Sequence, residues 1–143
     1  MKNKVSAINF SQLSLAWLVF TLGSVVTVLF SNLFFPRFIE LGNDITSPLL
    51  GAVFSMLVVS LIAVGMMPII ENFAQQNKIE LTSTKWLIIY WIIDATAIWI
   101  MGRLAAVVGL GISSWLVAVM LGLAINLIQG GLMMHVVGKI KLD

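Results

Sequence analysis

Four long apolar runs alternate with short polar stretches along this chain, at residues 13–35, 49–70, 86–108 and 115–137. A helix of about 22 residues rises roughly 33 Å, enough to cross a hydrocarbon core of about 30 Å. The pattern therefore predicts an all-α integral membrane bundle of four transmembrane helices, in one transmembrane domain over residues 1–143. The punctuation between the runs agrees. Ser47 followed by Pro48 supplies an N-cap hydroxyl and a first-turn proline whose missing N–H costs nothing there. Thr82, Ser83 and Thr84 precede the third run, and Ser113 and Ser114 the fourth. Pro36 to Thr46 reads as a loop, Glu71 to Lys85 as a polar connection, and Gly109-Leu110-Gly111 as a tight turn. Pro68 is expected to kink the second helix or mark its exit from the membrane.

Two lanes of small residues lie inside the runs. Ser114, Ala118, Gly122, Asn126 and Gly130 recur at four-residue spacing, as do Ser47, Gly51, Ser55, Val59 and Ala63. Side chains four apart stack on one helix face. Helices in lipid associate through close backbone approach and interhelical hydrogen bonds, so both lanes read as packing faces. A shift of 67 residues aligns them and also places Gly42 on Gly109, Ile45 on Ile112 and Met66-Met67 on Met133-Met134. This predicts two tandem helical-hairpin repeats related by an axis along the membrane normal.

Composition narrows the class. The chain is 60% hydrophobic and 10% charged, with a mean hydropathy of +1.07. A soluble domain carries about 25% charged residues, so most of this surface must face lipid. There is no cysteine, hence no disulfide, thiolate metal site or cysteine nucleophile. The net charge is only +2, and no basic stripe with interleaved aromatics suggests a nucleic-acid partner. Lys2, Lys4, Lys78, Lys85, Lys139 and Lys141 would lie on one side, with Arg37 and Arg103 on the other. That asymmetry places both termini in the cytoplasm. The first run is too long for a cleaved signal and reads as an uncleaved helix. Trp17, Trp86 and Trp91 at the inner ends, with Trp115 at the outer, suit an interfacial belt, whereas Trp99 lies deeper and reads as packing.

Few residues carry candidate chemistry. Asp94 falls at membrane depth, where a carboxylate costs about 2.5–3.5 kcal/mol on insertion scales, so it should face the bundle. Asn126 and Gln129 reach a similar depth, and a neutral Asp94 could donate to either. Thr27, at the repeat-equivalent position, would play a milder version of that part. This intramembrane polar cluster, Asp94, Asn126 and Gln129, has two readings: helix-to-helix glue or a proton or ion relay. The glue reading is preferred, because no basic partner accompanies Asp94. Arg103 is placed to snorkel to the interface. His135 stands without a second ligand, and the eight methionines read as apolar packing, so no metal and no cofactor is expected. Asn9-Phe10-Ser11 matches the glycosylation triplet on the side assigned to the cytoplasm. No phosphate loop, zinc-protease helix or nucleophile elbow occurs, and no enzyme activity is expected.

Phe35-Pro36-Arg37-Phe38, Thr46-Ser47-Pro48-Leu49-Leu50, the Met67-Pro68 close of the second helix and Gly109-Leu110-Gly111-Ile112-Ser113-Ser114 carry a resemblance. The chain resembles the small bacterial four-helix membrane proteins labelled phage holin family (superfamily IV, mycobacterial four-helix type). It departs from them at Met67, where they carry a basic residue. The resemblance implies a four-helix fold in a bacterial inner membrane. The expected role is structural or interaction-based in the cell envelope, with the lipid bilayer and a second copy or another membrane protein as partners. A holin-like oligomeric pore and a small proton- or ion-coupled transporter are the alternatives.

Overall fold

The computed structural model describes residues 10–140, the side chains at 10, 12, 13 and 133–140 excepted. The expectations on Lys2, Lys4, the Asn9 triplet, Met133, Met134, His135, Lys139 and Lys141 fall outside the described side chains. The elements are α1 (Phe10–Phe34), β1 (Ile39–Leu41), α2 (Pro48–Gln76), α3 (Ser83–Arg103), a single turn α4 (Ala105–Val108), β2 (Leu110–Ile112) and α5 (Trp115–Ile140). Among the described residues four helices are long and apolar enough to cross a membrane, over Ser14–Phe34, Pro48–Gln76, Ser83–Arg103 and Trp115–Leu132. The fold is an all-α four-helix bundle, and the chain reads as a multi-pass membrane protein.

The bundle is a ring in which α1 packs on α2, α2 on α3, α3 on α5 and α5 back on α1. Its outward faces carry large apolar side chains such as Leu22, Phe30, Leu61 and Met120, as lipid requires. The buried polar residues Thr21, Ser24, Thr27, Ser55, Ser60, Asp94, Asn126 and Gln129 all turn inward. A core of Val28, Met56, Val59, Ile98, Leu121 and Ile125 fills the ring and continues into the buried Ile39, Leu110 and Ile112.

Local signals explain most helix ends. Ser47 Oγ accepts from Leu50 N–H at 3.4 Å with Pro48 in the first turn, and Ser114 Oγ accepts from Val117 N–H at 3.4 Å. Thr82, rather than its two hydroxyl neighbours, caps α3. The expected close of the second helix at residue 70 needs correction, because α2 runs through Pro68 to Gln76. A proline inside a helix removes one N–H, and Ala74, which is buried, anchors the turns beyond it. The helix closes instead in a Schellman motif: Ile79 N–H donates to Ala74 O at 2.8 Å and Lys78 N–H to Gln75 O at 3.3 Å. Lys78 takes the left-handed conformation, φ 54°, that this motif demands.

The end of the bundle that holds the α1–α2 and α3–α5 connections also differs from the expected loops. Residues expected as a plain loop and a tight turn form an antiparallel pair, with Ile39 opposite Ile112, Glu40 opposite Gly111 and Leu41 opposite Leu110. The third helix breaks at Leu104 rather than continuing to residue 108, and Gly109 at φ 74° turns the chain into β2. Gly42 N–H donates to Gly109 O at 2.8 Å and Ser113 N–H to Phe38 O at 3.0 Å. Asn43 ties the knot. Its Nδ2 donates to Ala105 O and Ala106 O at 3.1 and 2.9 Å, while its Oδ1 accepts from Ile45 and Thr46 N–H. Ile39, Val108, Leu110 and Ile112 are buried beneath, so the strand pair covers this end of the ring.

Candidate functional site

Of the predicted lanes, Gly51, Ser55, Val59 and Ala63 on α2 and Ala118, Gly122 and Asn126 on α5 are buried. An added Cβ at Gly122 would lie 2.7 Å from Ala95 N and 2.9 Å from its Cα, which identifies α3 as the partner helix there. Gly51 meets the Gly109 carbonyl, and Ser55 Oγ donates to Val108 O at 3.4 Å. The ends of both lanes are corrected. Ser47 is exposed and Ser114 half-buried, and both serve as N-caps rather than packing residues. Gly130 is exposed with nothing within 4 Å. Four residues turn about 400° on a helix of 3.6 per turn, so such a lane drifts about 40° per step. Over four steps it drifts by nearly half a turn, and only its middle can face one neighbour.

The polar cluster is rearranged. Asn126 Nδ2 donates to Leu87 O at 2.7 Å, pinning α5 to α3. Gln129 Nε2 donates to Ser24 Oγ at 2.9 Å, and Ser24 Oγ passes its own hydrogen to Phe20 O at 2.6 Å. The expected bond from Asp94 to either amide is therefore not made. Both amide nitrogens donate elsewhere, and neither carboxyl oxygen of the fully buried Asp94 has a hydrogen-bond partner among the described residues. Thr27 bonds back to Gly23 O at 2.7 Å on its own helix and has no such share in the cluster.

Three hydroxyls that sequence reasoning missed are in the same condition. Thr21, Ser60 and Tyr90 have buried oxygens without a partner. Counted at 1.5 Å per residue from the helix ends nearest the strand pair, Thr21, Ser60, Tyr90 and Asp94 lie about 14–20 Å deep, the middle of a hydrocarbon core. Neighbouring helix axes in such bundles are 8–10 Å apart, so inward side chains at one level share one interior. Tyr90 stands one turn before Asp94 on α3. Its ring is held edge-on to Phe20 at 6.4 Å and stacked on Trp86 at 5.4 Å.

The tryptophan belt is corrected in part. Trp17 Nε1 donates to Leu57 O at 3.3 Å and Trp91 Nε1 to Val119 O at 2.9 Å, both partly buried, so they clip α1 to α2 and α3 to α5. Trp115 is exposed at the first residue of α5. Trp99 packs on the core and lies under the Arg103 guanidinium, 3.9 Å from the ring centroid, while Arg103 also donates to Ile112 O at 3.3 Å. No group of three His, Cys, Asp or Glu that could hold a metal occurs among the described residues.

What the layer offers chemically is one carboxyl group and three hydroxyls, each able to accept a hydrogen bond and each hydroxyl able to donate one. A buried polar atom without a partner costs about 1–3 kcal/mol, and four residues here bear that cost together. No family model, curated protein or solved structure matches the chain.

Proposed function

We propose that this chain is a non-enzymatic multi-pass protein of a bacterial inner membrane, with both termini cytoplasmic, that acts as a small proton- or ion-coupled unit through Asp94. One observation carries the reading: the Asp94 carboxyl group is fully buried with both oxygens unpartnered. Helix glue would require a bonded partner, and both amides that could serve are engaged elsewhere. The tandem repeat belongs to the same proposal. It is supported by left-handed glycines at Gly42 and Gly109 and by equivalent Ser47 and Ser114 caps, in each case 67 positions apart. The ring order also sets α1 opposite α3 and α2 opposite α5, as a two-fold axis along the membrane normal would.

The test is paired. Asp94→Asn keeps the volume and should match the wild type in detergent melting temperature, yet lose proton or cation uptake in proteoliposomes. Equal uptake by the two proteins would return Asp94 to a packing role.

A scaffold or holin-like assembly is favoured by a different observation. Gly65 on α2 and Gly130 and Gly131 on α5 face outward with nothing within 4 Å of an added Cβ. Outward glycines let a second helix backbone approach closely. Gly130→Leu should leave the melting temperature unchanged and abolish self-association measured by cross-linking in membranes. Unchanged cross-linking would remove this surface as the contact between copies.

A further inference from the structure

We infer that the groove between the end of α2 and the start of α3 holds one acyl chain of an anionic phospholipid, with its phosphate on Lys85. Ile70 and Phe73 on α2, Ile79 and Leu81 on the connection, and Ile88 on α3 form its apolar walls. Among the described residues Lys85 is the one charged residue that lines it, and the cavity holds about 220 Å³. Phe73, Ile79 and Ile88 remain 60, 42 and 45% exposed, so their apolar surface still lacks cover. The level of the groove matters. At 29 residues, α2 extends about 43 Å against about 30 Å of hydrocarbon. Helix this long passes into the headgroup region, and the polar run from Glu71 to Lys85 marks this end as one that does. An apolar groove at that level suits a molecule that is oily along its length and charged at its head.

The walls and the charge together select the occupant. A helix with its side chains is about 10–12 Å across, and helices in lipid meet through small residues. Here Ala74 is the single small residue of the walls, and it is buried. The larger side chains around it hold off a second helix backbone. A hydrocarbon chain is a single file of methylenes and can lie between them. At the rim, Lys85 Nζ donates to Glu80 O at 2.8 Å, which fixes the position of the ammonium. An ammonium carries three donors, so two remain for phosphate oxygens. Among the described residues Lys85 makes no ion pair. Glu71 and Glu80 adjoin wall residues in sequence, but neither lines the groove. Basic pockets between transmembrane helices recognise anionic lipid headgroups in this way.

The test is native mass spectrometry of the full chain in detergent, titrated with phosphatidylglycerol and phosphatidylcholine of matched acyl chains. The wild type should retain one phosphatidylglycerol about fivefold more tightly than phosphatidylcholine, the preference a single basic residue confers. Lys85→Gln keeps a donor for Glu80 O and should bring phosphatidylglycerol down to the phosphatidylcholine level. Lys85→Arg should restore the preference. Ile88→Trp fills the groove and should lose both lipids, whereas Leu61→Trp on an outward face of α2 should lose neither. Should Ile88→Trp melt lower than wild type, Phe73→Ala, which removes a wall at an exposed position, gives the same reading. Equal retention of the two lipids by the wild type, or a preference kept by Lys85→Gln, would overturn the phosphate contact. Wild-type retention by Ile88→Trp would overturn the groove. Oleate displacing phosphatidylglycerol at equal concentration would give the site to a free fatty acid. A second copy in place of lipid would make it a contact between chains, and either result would overturn the proposal.

Discussion

Gly51→Ala should destabilise the protein by about 3–5 kcal/mol, measured as the loss of unfolding free energy in detergent, although it adds one methyl group. The new Cβ would sit 2.5 Å from Gly109 O and 3.2 Å from Gly42 N. Neither contact is the movable end of a side chain. The two atoms are also the partners of a backbone hydrogen bond of 2.8 Å, so any relief of the clash opens that bond. Overpacking commonly costs about 1–3 kcal/mol, and an orphaned buried donor about 1–3 more. Gly65→Ala supplies the control on the same helix. Nothing lies within 4 Å of that site, and alanine is favoured over glycine by roughly 0.5–1 kcal/mol in a helix interior. The control should therefore be slightly stabilised. Equal losses at the two positions would mean that the close approach of α2 to Gly109 does not hold the cap.

Asp94→Leu should be more stable than the wild type by about 1–3 kcal/mol and inactive in proteoliposomes. On insertion scales Asp costs about 2.5–3.5 kcal/mol at mid-membrane, whereas Leu is favourable by a few tenths. Part of the gain is offset by the larger side chain. Had Asp94 bonded Asn126 or Gln129, as its depth suggested, the same change would leave an amide unpaired and destabilise the bundle. The sign of the shift therefore separates the two arrangements. A lower melting temperature for Asp94→Leu would mean that the carboxyl group holds the helices together.

Where sequence reasoning succeeded, the physics was local. A run of apolar residues of membrane length depends only on its own composition, and a Ser-Pro start depends on four residues. The four spans and the caps at Ser47 and Ser114 were legible for that reason. The strands were not. Ile39-Glu40-Leu41 and Leu110-Gly111-Ile112 are three residues each, too short for a period, and their pairing exists only once two distant loops meet. The hydrogen bonds of the polar cluster failed differently. Asn126 chose the carbonyl of Leu87 and Trp91 that of Val119, and a backbone carbonyl is present at every residue, so residue identity could not single them out. Burial of Asp94 was readable from its depth, but its lack of a partner depends on how far each helix is rotated about its axis.

The strand pair also bears on the order of assembly. Glu40 meets Gly111, 71 positions further along, so the first hairpin is made long before its short strand finds a mate. During synthesis that edge stays open until β2 is made, and the closing step carries the entropy of a long loop. When a neighbouring chain presents its own second hairpin first, the same strand pairing forms between molecules. An exchange of that kind would keep the same three register pairs.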